Sequence, residues 1–114
     1  MTNKKMQAIF KKEAANLEGD LGAWQMEYGQ YLLIAITDEK ANRMRLFAPV
    51  IEEEKLERGQ LRKMLEANFH SALDAKYSLY NGFVISVFTH PLKELTEEQL
   101  IDAMRQVITL ANTF

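Results

Sequence analysis

The segment KYSLYNGFVISVFTHP, residues 76–91, constrains this chain more than any other stretch. Asn81-Gly82 sits between two β-prone runs. A type I′ turn needs positive φ at both central residues, and Asn followed by Gly supplies it. That turn sets a register in which Tyr80 faces Phe83, Leu79 faces Val84 and Tyr77 faces Ser86. Pro91 closes the second arm. In that arm Phe83, Ile85 and Val87 point one way, and Val84 and Phe88 point the other. A strand with one wet face alternates apolar with polar residues. This one needs cover on both sides.

A second run has the same property. Across residues 31–37, Leu32, Ile34 and Ile36 lie on one side, with Tyr31, Leu33 and Ala35 on the other. Gly29-Gln30 fits a type II′ turn joining it to residues 23–28, where Trp24, Met26 and Tyr28 alternate with Ala23, Gln25 and Glu27. After the polar DEKAN connection, residues 43–50 read as a further strand. Met44, Leu46 and Ala48 share one face, and Arg43, Arg45 and Phe47 share the other. Pro49 predicts that this strand ends there or lies at an edge.

Three helices flank these strands. Met6, Ile9, Phe10, Ala14 and Leu17 recur at helical spacing, which predicts a first helix from residue 2 or 3 to 17, stopped by Gly19. Leu61, Met64, Leu65, Phe69 and Ala72 predict a second over residues 60–73, with Asn68 inside its apolar stripe. The last helix begins at LTEEQL. Thr96 and Gln99 form a capping box, and Leu95 and Leu100 form a hydrophobic staple. Its buried stripe is Leu100, Met104, Val107, Ile108 and Ala111. The order α-β-β-β-α-β-β-α describes one α+β domain over residues 1–114, with helices packed on an antiparallel sheet.

The cover for the apolar strands is then short. At 13.2 kDa the folded chain is expected to expose about 6,400 Å² of roughly 19,000 Å² unfolded. If the terminal helices take one face, a single helix roughly 10 Å across remains for a five-stranded face about 20 Å wide. An apolar patch left open implies a partner, and a second copy of the chain is the simplest one.

Catalytic chemistry is sparse. The two histidines, His70 and His90, belong to no local metal-ligand pattern, and no nucleophile elbow or phosphate-binding glycine loop is present. We therefore expect no enzyme, no cofactor and no catalytic or metal-binding residue. With no cysteine, disulfides and thiolate chemistry are excluded. A net charge of −2 argues against a nucleic acid partner. The charged N-terminus contains no apolar run fit for export or a membrane span, so a soluble, cytoplasmic protein is expected.

Two sets of residues are candidates for binding. Arg43, Arg45 and Phe47 form a mixed cationic and aromatic strand face, which reads either as a solvated surface or as a grip on a peptide. Asn68 reads either as an amide satisfied by nearby backbone or as a polar residue fixing register between paired helices.

The sequence LRKMLEANFHSALDAKYSLYNGFVISVFTHPLKELTEEQLIDAMRQVITLAN combines a leucine-rich helix, a hairpin, an HPL exit and a capped final helix. With the order of elements across nearly the whole chain, it resembles the class I type III secretion chaperones and their Tir-chaperone and YbjN-like relatives. The resemblance implies a cytoplasmic homodimer without enzymatic activity that holds another polypeptide in extended form over apolar patches and sheet edges. It further implies a dimer interface on the second helix, with Leu61, Met64, Leu65 and Asn68 as candidates, and partner contacts at Arg43, Arg45 and Phe47. Two alternatives stand beside it. One is a regulatory or structural dimer that shares the fold but has no unfolded client. The other is a small-ligand protein with a pocket near His90.

Overall fold

A computed structural model describes residues 1–114. Helix α1, Asn3–Glu13, is followed by strands β1, Ala15–Asp20; β2, Ala23–Tyr28; β3, Tyr31–Asp38; and β4, Arg43–Glu52. A short 3₁₀ turn, Glu53–Lys55, leads to helix α2, Gln60–His70. Strands β5, Lys76–Tyr80, and β6, Phe83–His90, precede helix α3, Glu97–Asn112. The strands form one antiparallel sheet in the order β1-β2-β3-β4-β6-β5. The fold is α+β, as expected, with one strand more than the sequence pattern indicated.

The added strand is β1. The apolar spacing carries a helix to Leu17, but the helix stops at Glu13 and Ala14 is extended (φ −125°, ψ 169°). Asn16 turns left-handed at φ 52°, and the chain doubles back along β2. Leu17 still packs against the core, now from a strand. Gly19 is no helix stop. It pairs with Trp24 at φ 108°, where a Cβ would collide with the Ala23 carbonyl oxygen.

Pro49 neither ends β4 nor marks an edge, because β4 lies in the middle of the sheet. The proline is tolerated for a local reason. Pairing with β3 runs only from Asp38–Arg43 to Ile34–Phe47, and the β6 ladder shifts register between Pro49 and Ile51.

The 76–90 hairpin has the register its turn demands, with Tyr80–Phe83, Leu79–Val84 and Tyr77–Ser86 opposed. Asn81 and Gly82 both have positive φ, at 50° and 81°. The capping box of α3 is complete. Thr96 Oγ1 accepts from the Gln99 N–H at 3.1 Å, and the Thr96 N–H donates to Gln99 Oε1 at 2.9 Å. Leu95 and Leu100 are both buried beside it.

The core lies between one face of the sheet and helices α1 and α3. Cross-strand partners share a face, so Trp24, Ala35, Leu46 and Phe88 form one row of that buried side. Met6 and Phe10 of α1 and Leu100, Met104 and Val107 of α3 close over it. Ser86 is fully buried there and donates to the Val107 carbonyl at 2.8 Å. No helix of the chain is long and apolar enough to cross a membrane.

Candidate functional site

Helix α2 does not cover the second face of the sheet. It runs along the outer edge of β5. The Asn68 side chain accepts from the Tyr77 N–H at 2.7 Å and donates to the Tyr77 carbonyl at 3.1 Å. Lys76 ties down the helix end, its ammonium donating to the carbonyls of Asn68 at 2.9 Å and Leu73 at 2.6 Å. Half of the apolar stripe faces inward. Met64 is in the core and Ala67 is half-buried. The other half faces water, with Leu61, Leu65 and Phe69 exposed, and Leu73, just beyond the helix end, is exposed too. Leu65 retains 70% of its accessible surface and Phe69 84%.

The second face of the sheet therefore has no helix on it. Its rows follow from the register. Ile34, Phe47 and Val87 lie side by side, as do Ile36, Arg45 and Thr89, and Pro49 and Ile85. Glu52, Phe83 and Tyr80 form the row at the far end. Ile36 is 41% exposed, and Leu32, Phe83 and Tyr80 are similarly open. Phe47 is covered by its neighbours, with its ring edge-on to Tyr80 at 5.7 Å between centroids.

The residues singled out from the sequence fall into these two places. Arg43, Arg45 and Phe47 lie on the open sheet face, the two arginines exposed and Phe47 buried. The chain's ion pairs are Lys55–Glu52 and Arg62–Glu66, so neither arginine is paired. Of the four candidates on α2, Leu61 and Leu65 point outward. Met64 and Asn68 point inward and hold the helix against the sheet. Sequence reasoning did not single out Ile36, Leu32, Phe83 and Tyr80 as a surface, nor Phe69 and Leu73 as exposed. Their alternation was visible. What was missing was which face the helices choose.

The hollows offer little for catalysis. One of about 490 Å³ lies between α2 and α3 over Ala75, Tyr77 and Leu110. One of about 450 Å³ beside Arg43, Arg45 and His90 has no carboxylate in its lining. Another of about 440 Å³ does join His90 to Asp74 and Asp102. Both of those carboxylates accept from the Gln106 amide, at 3.1 and 2.8 Å, and the His90 ring nitrogen contacts the Pro91 carbonyl at 2.8 Å. No group of three or more histidine and carboxylate side chains is placed to hold a metal ion.

The exposed area is larger than the size of the chain calls for. The total is 7,354 Å². A monomeric globular protein of this mass exposes about 6,400 Å², so the excess is roughly 900 Å². That is close to the roughly 800 Å² each partner buries in an interface of standard size.

No protein-family model matches the sequence, and no curated protein matches it. Solved structures do resemble it. A chain of the ExsC-ExsE complex superposes with a TM-score of 0.73 at 17% identity, covering 97% of this chain and 92% of that one. A chain of the HopA1-SchA chaperone-effector complex gives 0.71 at 15% identity, covering 97% and 91%. The structure of the Yersinia pestis type III secretion chaperone SycH with a fragment of YscM2 gives 0.70 at 14% identity, covering 97% of each. With three helices and one antiparallel sheet matched over nearly its full length, the chain has the fold of the type III secretion chaperones.

Proposed function

We propose that this chain is a homodimeric, single-domain protein-binding module without enzymatic activity. It holds a partner polypeptide in a non-globular, extended form, in the cytoplasm. The observation that carries the reading is the unsatisfied apolar surface, which falls in two separate places. One place serves the dimer and the other serves the partner.

The dimer forms on α2. Leu61 and Leu65 supply its contacts, extended by Phe69, while Met64 and Asn68 fix the helix from beneath. An exposed stripe one residue wide at four-residue spacing suits a helix from a second copy. The partner meets the open sheet face around Phe47, with Arg43 and Arg45 at its border. Two of the similar structures, a chaperone–effector complex and a secretion chaperone with a bound fragment, support a polypeptide partner.

Light scattering at tens of micromolar tests the dimer, with twice the chain mass of 13.2 kDa expected. Affinity capture from native lysate, followed by proteolysis of the captured complex, tests the partner. A bound segment resists digestion only while the module is present. A strictly monomeric chain that protects no segment overturns the proposal.

A further inference from the structure

Helix α1 breaks a rule that α3 keeps. The first turn of α3 carries Glu97 and Glu98, where acids favour the helix dipole. The first turn of α1 has no acid and carries Lys4 and Lys5, against the same dipole. Lys11 and Lys12 stand in its last turn. On a wheel of 100° per residue these lysines form two rows, Lys4 with Lys11 and Lys5 with Lys12, on either side of Ala8 and inside an arc of about 120°. All five residues are exposed. Met6, Ile9 and Phe10 point the other way, into the core, so the lysine face looks away from the sheet, on the far side of the molecule from the open sheet face. No carboxylate answers it. None of the four lysines is in an ion pair. Glu13, the one acid of α1, is half-buried on the opposite side of the helix, and Glu39, beside the helix start, accepts from the Asn3 amide at 2.7 Å.

Helix stability does not account for lysines at that start, and a local rule broken without a structural gain marks a functional surface. Two features select the ligand. First, the lysine face is narrow, roughly 12 Å long from residue 4 to residue 12, on a chain whose net charge is −2. A nucleic acid duplex or an anionic bilayer is a broad negative surface and would also meet the acids around this face. A single acidic chain would not. Second, every cation here is lysine. Arginine is the residue suited to bidentate phosphate contacts, whereas ammonium groups act as point charges that suit scattered carboxylates. Ala8 leaves a shallow track between the two rows.

We infer that the outer face of α1 binds an acidic segment of the partner polypeptide, its carboxylates lying between the two lysine rows over Ala8. This rests on the partner-binding reading above and adds a second contact on the opposite side of the molecule. The shorter dimensions of the chain are 26 and 23 Å, so roughly eight extended residues of the partner join the two sides.

A peptide of about twelve residues alternating glutamate with serine, and its counterpart with glutamine for glutamate, test this by amide-shift titration of the full chain at low salt. The glutamate peptide is expected to shift Lys4, Lys5, Ala8, Lys11 and Lys12 saturably and to bind at least tenfold more tightly than the glutamine peptide. The decisive variant combines Lys4→Glu with Lys5→Glu. Both acids then sit where the helix dipole favours them, so the melting temperature is expected to hold or rise while affinity for the glutamate peptide falls at least tenfold. Equal binding by the variant, or by the glutamine peptide, overturns the inference. Tighter binding of this face to duplex DNA or to vesicles containing anionic lipid at the same salt assigns it to phosphate and also overturns it. A dimer that the variant breaks shows that the lysines meet a second copy, with the same consequence. A partner segment that wild type and variant protect equally from proteolysis overturns the lysine contact and leaves the partner-binding reading standing. That reading fails separately, when neither protects a segment.

Discussion

Asn68 and Tyr77 exchange two hydrogen bonds across the gap between α2 and the edge of the sheet, at 2.7 and 3.1 Å. The amide of one side chain stands in for a neighbouring strand. Tyr77 is also held from above, its hydroxyl donating to the Leu110 carbonyl of α3 at 2.8 Å. The same tyrosine thus ties β5 to both helices that flank it. An exposed edge strand invites pairing with another chain, and this one is closed by a side chain and a helix.

Asn68→Ala leaves the Tyr77 N–H and carbonyl without partners in a half-buried place. The expected cost is about 1–3 kcal/mol in urea unfolding, since an unmet buried polar group loses its full desolvation energy. Asn68→Asp keeps the acceptor and loses the donor, so it is expected to cost less near neutral pH. Cross-linking at high concentration is expected to rise in Asn68→Ala, because the β5 edge is uncovered.

Leu65→Asp and Phe69→Asp place a charge on the outward half of α2. Both side chains are largely in water in the isolated chain, so folding stability is expected to change by no more than about 0.5 kcal/mol. The dimer is expected to dissociate at least tenfold more readily, read by sedimentation velocity. Met64→Asp is the contrast. Its side chain is in the core, and the expected loss is folding itself.

These contrasts show why some of the molecule was legible in the sequence and some was not. The 76–90 hairpin and the α3 cap depend on neighbours in sequence. Asn81-Gly82 admits few turns, and Thr96 with Gln99 closes its own box. The extent of α1 depended on more distant competition, because Leu17 fits a helical stripe as well as it fits strand β1. Helix α2 has an apolar arc of roughly 200° on a wheel of 100° per residue, wider than one contact needs. Periodicity located the arc, and it cannot choose which half turns inward. Met64 and Asn68 won that place because Asn68 reaches the free backbone of Tyr77. The site was legible to the same degree. Arg43, Arg45 and Phe47 were seen to share a face, but the openness of that face follows from where α1 and α3 settle.

Gly19→Ala and Gly82→Ala separate two costs of leaving glycine. Both residues have positive φ. At Gly82 an added Cβ meets nothing within 4 Å, so only the backbone term of about 1–2 kcal/mol is expected. At Gly19 the Cβ also meets the Ala23 carbonyl. Thermal unfolding is expected to show Gly19→Ala as clearly the worse of the two. Equal losses would show that the β1–β2 pair relaxes freely.

The loop beside Arg43 predicts a response to acid. Asn42, left-handed at φ 53°, donates to the two oxygens of Glu94 at 3.0 and 3.4 Å, and its own side-chain oxygen accepts from the Lys93 N–H at 2.8 Å. The bond from Asn42 holds the Glu94 carboxyl below the usual glutamate range, helped by a bond to the residue's own backbone. A carboxyl held low when folded adds stability that is present above its unfolded value, about 4.3. That stability is lost as the pH falls through the lower folded value. Acidification below about pH 4 is therefore expected to loosen the contact between this turn and the segment before α3. Asn42→Gly isolates the cause, because glycine accepts the same φ without the amide. Carbon-detected titration of Glu94 is expected to show its pKa rising toward the ordinary value in this variant. A Glu94 that stays low would mean the backbone bond suffices, and the turn would then keep its acid response without Asn42.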